Sequence, residues 1–156
     1  MACLKWLRIR LSYLADLGGQ ERRILALAFI VFPLVVTSLK LAGFKRTQYW
    51  LSRLLESEKE ILQEEMAGQA KNTARLVKIA ARYQPYRASC LAKSIVLWWL
   101  LGLQEIKSEV CIGVSRDKGK FEAHAWVECQ GLVLNDSKDV RQRFPALERR
   151  MAGERV

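Results

Sequence analysis

With 156 residues, 51% of them apolar and 27% charged, the chain fits one domain, or one small domain with an appendage, and can bury a real core, which excludes a disordered polymer. Its net charge of +10 suggests an acidic partner, whether nucleic acid, membrane surface or acidic peptide, and is uneven: +7 over residues 1–53, zero over 54–84 and +3 over 85–156. Four cysteines (Cys3, Cys90, Cys111 and Cys129) without a CxxC pair, and a single histidine, leave nothing from which to build a zinc site and favour a reduced, cytoplasmic setting over a disulfide scaffold.

Residues 1–20 read as a short amphipathic helix, with Leu4, Leu7, Leu11 and Leu14 on one side and Lys5, Arg8 and Arg10 around the other, stopped by Gly18-Gly19. The early basic residues are not followed promptly by an apolar stretch and a small-residue cleavage site, so no signal peptide is expected. Ile24 to Leu39 is a 16-residue run without a charge, interrupted by Pro33 and flanked by Arg22-Arg23 and by Lys40, Lys45 and Arg46. That is short of the ~18–20 residues that span a bilayer. It predicts a buried helix pair or one kinked helix, a docking face for another protein, or a membrane-surface element held by its basic flanks.

Thr47 to Arg82 is mostly helix-forming, with a balanced charged segment, 56–65, on a solvated face. Gly68 is expected to divide two helices. The spacing of Leu76, Val77, Ile79, Ala80 and Tyr83 predicts a helix ending at Gln84, before Pro85. Cys90 then opens an apolar run, Cys90-Leu-Ala-Lys-Ser-Ile-Val-Leu-Trp-Trp-Leu-Leu101, closed by Gly102. It predicts a buried helix with the thiol in its first turn and Ser89 as its cap. After it, Glu109 to Ser115 reads as a strand, Arg116 to Lys120 as a hairpin turn around Gly119, Phe121 to Cys129 as a half-buried strand carrying His124, and Leu132 to Asp136 as the next strand. Lys138 to Leu147 reads as irregular or briefly helical, before a basic tail. Helices first and an antiparallel sheet after make an α+β pattern. The expected division is a helical region over 1–70, a core over 71–150 and a tail over 151–156.

Cys90, His124 and Asp136 are the residue types of a nucleophilic site. A thiol at a helix start meets unpaired N–H groups and the positive end of the dipole, which favour the thiolate. An imidazole beside it can hold the proton, and a carboxylate on the far ring nitrogen fixes the tautomer. The competing reading makes Cys90 a small core residue and His124 structural. The spacing between His124 and Asp136 favours the site. A two-residue loop at Gln130-Gly131 would put His124 opposite Ser137 and turn Asp136 away. A three-residue loop, Cys129 to Gly131, puts His124 opposite Asp136, and Gly131 occupies the left-handed last position such loops prefer. Trp98, Trp99 and Trp126 fall on apolar segments and read as core or as walls of a peptide groove, not as base-stacking platforms, so no nucleic acid is expected. Trp98, Trp126 and Tyr86 are the candidates for substrate contact.

The segments Cys90 to Leu101, Ile112-Gly-Val114, Ala123-His-Ala-Trp-Val127 and Asn135-Asp136 together closely resemble the lasso peptide leader peptidases, of the transglutaminase-like cysteine protease superfamily. The resemblance covers residues 76–147, and its motifs are specific in combination. The first 55 residues resemble, less specifically, the helical region that leads the stand-alone form of these peptidases. Family members often carry proline and arginine where this chain has Ala92 and Lys93, a departure that leaves the proposed chemistry untouched.

The resemblance implies a papain/transglutaminase-like core, a nucleophile helix packed on a small antiparallel sheet. It implies Cys90 as nucleophile, His124 as general base and Asp136 as orienting carboxylate, with no metal and no cofactor. The implied substrate is a ribosomally made precursor peptide, cut between leader and core. The implied partners are a small leader-recognition protein and an ATP-dependent lasso cyclase acting downstream. The alternatives are a transglutaminase-like acyl transferase using the same triad, and a non-catalytic peptide-binding or membrane-associated scaffold in which Cys90 is only core. The expected location is cytoplasmic, with membrane-surface contact through residues 24–39 as an option.

Overall fold

A computed structural model describes residues 17–55, 63–117 and 120–149. Most of the amphipathic helix expected over residues 1–20, most of the charged segment 56–65, the hairpin tip 118–119 and the tail from 150 lie outside the described residues. The first element, α1 (Gly19–Leu41), is one unbroken helix, where the sequence also allowed a helix pair. Pro33 sits inside it on the exposed side, where water can reach the Phe29 carbonyl that proline's missing N–H leaves without a helical donor. Glu21 opens the helix by accepting the Gly18 N–H at 3.1 Å and ties it to the third helix by accepting from Asn72 at 2.7 Å and from Arg75 at 3.1 Å.

Two further helices follow, α2 (Gly43–Arg53) and α3 (Gln63–Arg82). Gly68 does not divide α3. A glycine inside a helix costs only about 1 kcal/mol relative to alanine, and Met66, Ala70, Thr73, Leu76, Val77 and Ala80, all buried, keep one continuous face against the core. Next comes α4 (Cys90–Gly102), buried at Ala92 and from Ser94 to Leu101. It is apolar all round because it has neighbours on every side: α1 and α3 on one, the sheet on the other. One cluster of buried side chains joins α1, α3, α4 and the sheet. The division expected at residue 70 therefore falls within α3, between residues that share one core.

The sheet contains β1 (Glu109–Asp117), β2 (Lys120–Cys129), β3 (Leu132–Val133) and β4 (Ala146–Arg149), all antiparallel in the order β3-β2-β1-β4. A single turn of helix, α5 (Val140–Arg143), precedes β4. Strand β4 was not expected: it pairs Cys111 with Arg149 and Gly113 with Ala146 through a segment whose Ala, Leu, Glu and Arg are better helix formers. A helical layer followed by a small antiparallel sheet, an α+β architecture, is the organisation the sequence implied.

The β2–β3 connection corrects the predicted register. Glu128 pairs with Val133 and Cys129 with Leu132, so the loop has two residues, not three. Gln130 has φ +50° and Gly131 φ +80°, the two left-handed positions of the tight hairpin turn whose twist suits flanking strands. The expectation that such a loop would turn Asp136 away also fails, because regular pairing ends before Asp136. The Leu134 N–H still donates to the Val127 carbonyl at 3.0 Å. The Val127 N–H is then taken by the side chain of Asn135 at 2.8 Å, and the chain bends.

Candidate active site

The thiol of Cys90 occupies the first residue of α4 and is half-buried. Ser89 caps that helix: its Oγ accepts the Ala92 N–H at 3.1 Å, and its carbonyl accepts the Lys93 N–H at 3.1 Å. The first-turn N–H groups of Cys90 and Leu91 keep no intrahelical partner, as at any helix start. One turn on, the Ser94 hydroxyl donates to the Ala125 carbonyl at 3.0 Å. That bond fastens the N-terminal half of α4 to β2 at the residue after His124.

His124 lies on the face of β2 opposite α4. Strand alternation puts it beside Trp126, whereas Val127 and Cys129 point into the core shared with α4. Its ring is sandwiched against Phe144, at 5.0 Å between centroids, and Trp126, at 6.4 Å. Its cross-strand neighbour is Gly113, and the space above Gly113 is filled: a Cβ there would lie 2.5 Å from the Phe144 carbonyl oxygen and 2.9 Å from the Trp126 ring. The glycine thus admits the two aromatic groups that hold the imidazole.

Asp136 meets His124 directly, with Oδ2 2.5 Å from Nε2. Its other oxygen accepts from the Ser137 N–H at 2.7 Å and hydroxyl at 3.2 Å and from Arg143 at 3.0 Å. Burial alone would raise this carboxyl, but the hydrogen bonds from His124 and Ser137 and the attraction of the His124 ring outweigh it and hold it below the ordinary aspartate value. Asn135, just before it, donates to Ser94 Oγ at 3.0 Å while accepting from Val127. The bend that delivers Asp136 is therefore anchored to α4 and β2 at once.

The structure brings His124 and Asp136 together; among the described residues it shows no hydrogen bond between Cys90 and His124. With Nε2 engaged by the carboxylate, Nδ1 is the ring nitrogen left to serve a thiol. Of the candidates for substrate contact, Trp98 (4% exposed) and Trp126 (1%) are core residues and present no face to a peptide, a correction to the groove-wall reading. The Trp126 indole N–H donates to Glu128 at 2.7 Å, and Glu128 is clamped by Arg141 through two contacts of 2.7 and 2.6 Å. Tyr86 is partly exposed. Its hydroxyl, like Gln84 Nε2, is buried with no hydrogen-bond partner among the described residues, and burial pushes the Tyr86 phenol up.

Ser94, Asn135, Arg143, Phe144 and Gln84 were not singled out from the sequence. Asn135 was quoted only as part of a motif. Phe144 and Arg143 reach the site from beyond the strand pattern, where no local signal points back to His124.

A family model described as the transglutaminase-like superfamily matches residues 33–149, from within α1 to the end of β4. Comparisons with curated proteins and with solved structures give no significant match. The matched span takes in the helix that starts at Cys90, the strand of His124 and the bend of Asp136, and on that ground the chain belongs to the transglutaminase-like superfamily.

Proposed function

We propose that the chain is a cysteine peptidase that removes the leader from a ribosomally made lasso precursor peptide, with Cys90 as nucleophile, His124 as general base and acid, and Asp136 as the orienting carboxylate. The observation that carries the reading is the Asp136 carboxylate on His124 Nε2, which directs the other ring nitrogen toward whatever nucleophile approaches. Membership of the superfamily and the motifs around Cys90 and His124 support the peptidase class. The combined resemblance of residues 76–147 supports the lasso precursor as substrate.

In this mechanism the thiol gives its proton to His124 Nδ1 and the sulfur attacks the scissile carbonyl, forming a carbon–sulfur bond and a tetrahedral oxyanion. His124 returns the proton to the departing amine of the core peptide, the carbon–nitrogen bond breaks, and a thioester to the leader remains. Water, activated by His124, then hydrolyses the thioester and restores the thiol. The first-turn N–H groups of Cys90 and Leu91 offer donors to the oxyanion. In this mechanism the thiol and the imidazole come within hydrogen-bond reach only when substrate fills the site, as catalytic groups commonly do. A separate small recognition protein holds the leader, and an ATP-dependent cyclase uses the freed amine.

Mass spectrometry of a precursor incubated with the wild-type protein, its recognition partner and the Cys90→Ala variant tests this. Cleavage is expected at one bond with the wild type and none with the variant. Unchanged cleavage by Cys90→Ala would remove the nucleophile from the reading. The superfamily also favours a second outcome, acyl transfer: with a free amine added, the leader would leave as an amide in place of an acid.

A further inference from the structure

Residues 22–55 contain six basic side chains and no acidic one, and they fold into α1 and α2, which expose an apolar stripe between those cations. Along α1 the exposed positions Ala26, Phe29, Ile30, Pro33 and Leu34 recur every three or four residues and so form one stripe. Ile30 is 60% and Leu34 63% exposed. A shallow groove continues the stripe past Thr37 to Leu41 at the end of α1 and onto α2, where Trp50 lines it beside Arg46. Tyr49 and Trp50 both stand out from α2. Arg23 lies before the stripe, and Lys40, Lys45 and Arg46 lie after it.

We infer that this face docks on an anionic lipid surface, with the Ile30–Leu34 stripe and Trp50 set into the interface and the flanking lysines and arginines against phosphate groups. Length and composition alone would let Gly19–Leu41 cross a bilayer. Its other face rules against that: Ala28, Phe32 and Val35 are at most 1% exposed and belong to the core shared with α3 and α4, so lipid on all sides would pull the domain apart. A helix with one face in its own core and the other apolar, uncharged and bordered by cations matches a helix lying in the membrane plane. Aromatic residues at the rim fit the headgroup depth. A protein partner is favoured less, because protein interfaces carry about one hydrogen bond per 100–200 Å² and the stretch from Ala26 to Leu34 offers no polar side chain. The charged side chains of residues 22–55 have a single sign, as an anionic headgroup layer requires.

This inference stands apart from the catalytic reading and is tested without a peptide substrate. The full chain is floated with vesicles of phosphatidylcholine alone and of phosphatidylcholine mixed with phosphatidylglycerol. It is expected to rise with the mixed vesicles and stay behind with the neutral ones, and added salt is expected to weaken the binding. Lys45→Glu with Arg46→Glu should lower the partition at least about tenfold, and Ile30→Asp with Leu34→Asp should lower it by a similar factor. All four positions are exposed, so unchanged melting temperatures would show that the variants fold. Equal partition onto both vesicle types, or partition indifferent to either double substitution, would overturn the inference. So would a chain that ignores both vesicle types, and if Ile30→Asp with Leu34→Asp then abolishes its binding to a recognition protein, the face belongs to that protein.

Discussion

Replacing Asp136 with asparagine separates the carboxylate's charge from its shape, because the side chain keeps its size and one oxygen. That oxygen can still accept from Ser137 and Arg143, so the amide NH₂ is turned toward His124 Nε2. The ring must then carry its proton on Nδ1, the wrong nitrogen for accepting one from a thiol, and the expected loss in kcat is about 10²- to 10⁴-fold. Stability should change in a way that depends on pH. A hydrogen bond to a charged group contributes about 1.5–3 kcal/mol; the carboxylate side chain is 19% and the imidazole 26% exposed, and the half-exposed Arg143 pair adds little. Together they suggest a cost of about 2 kcal/mol at neutral pH, or roughly 4–8 °C in Tm for a chain of this size. The Asp136 carboxyl is held below its ordinary value when folded. Its contribution is therefore complete above the unfolded value, about pH 4, and is lost as pH falls through the folded value. Melting curves of wild type and Asp136→Asn should differ most near pH 7 and converge in acid, where protonated aspartate resembles asparagine. A gap that stays constant across that range would refute the charge argument, and a variant with wild-type kcat would refute the tautomer argument.

Asn135→Ala should destabilise by about 2 kcal/mol, since it strips the Val127 N–H and Ser94 of partners; chemical denaturation should show it, with kcat falling because Asp136 loses its anchor. Gly113→Ala should cost about 1–3 kcal/mol by overpacking, as its methyl group meets the Phe144 backbone oxygen, and nuclear magnetic resonance should show the His124 ring signals displaced.

The local parts of the site could be read in the sequence. Ser89 before an apolar run closed by Gly102 gave the start of α4 and hence the place of Cys90, and the alternation around His124 gave β2. What could not be read was how β2 continues into Asp136. Gly131 fits the last position of a three-residue loop and the second position of a two-residue one equally well. The difference lies in Gln130, which adopts φ +50° although nothing in glutamine advertises it. The register argument also assumed a strand reaching residue 136, whereas β3 ends at Val133 and side chains take over the pairing. Phe144 and β4 were invisible for a related reason: their places depend on contacts across twenty or more residues, not on their own pattern, and Arg143 reaches Asp136 over seven residues only because the chain bends between them.

The shortness of β3 is what makes the arrangement workable. The helix α4 covers one face of the sheet and His124 stands on the other, so a thiol on α4 can approach that imidazole only around an edge. A β3 continued to Asp136 would cover the Val127 and Ala125 backbone groups with another strand and close that route. Instead the chain bends after Leu134, and three side-chain bonds replace the missing ladder: Asn135 to Val127, Asn135 to Ser94, and Ser94 to Ala125. These satisfy the exposed edge, hold the thiol end of α4 beside it, and leave the next residue, Asp136, turned back toward the ring. A single polar residue in the bend thereby sets both the helix and the carboxylate relative to His124, which is why Asn135, more than any core residue, should couple the stability of this edge to the chemistry beside it.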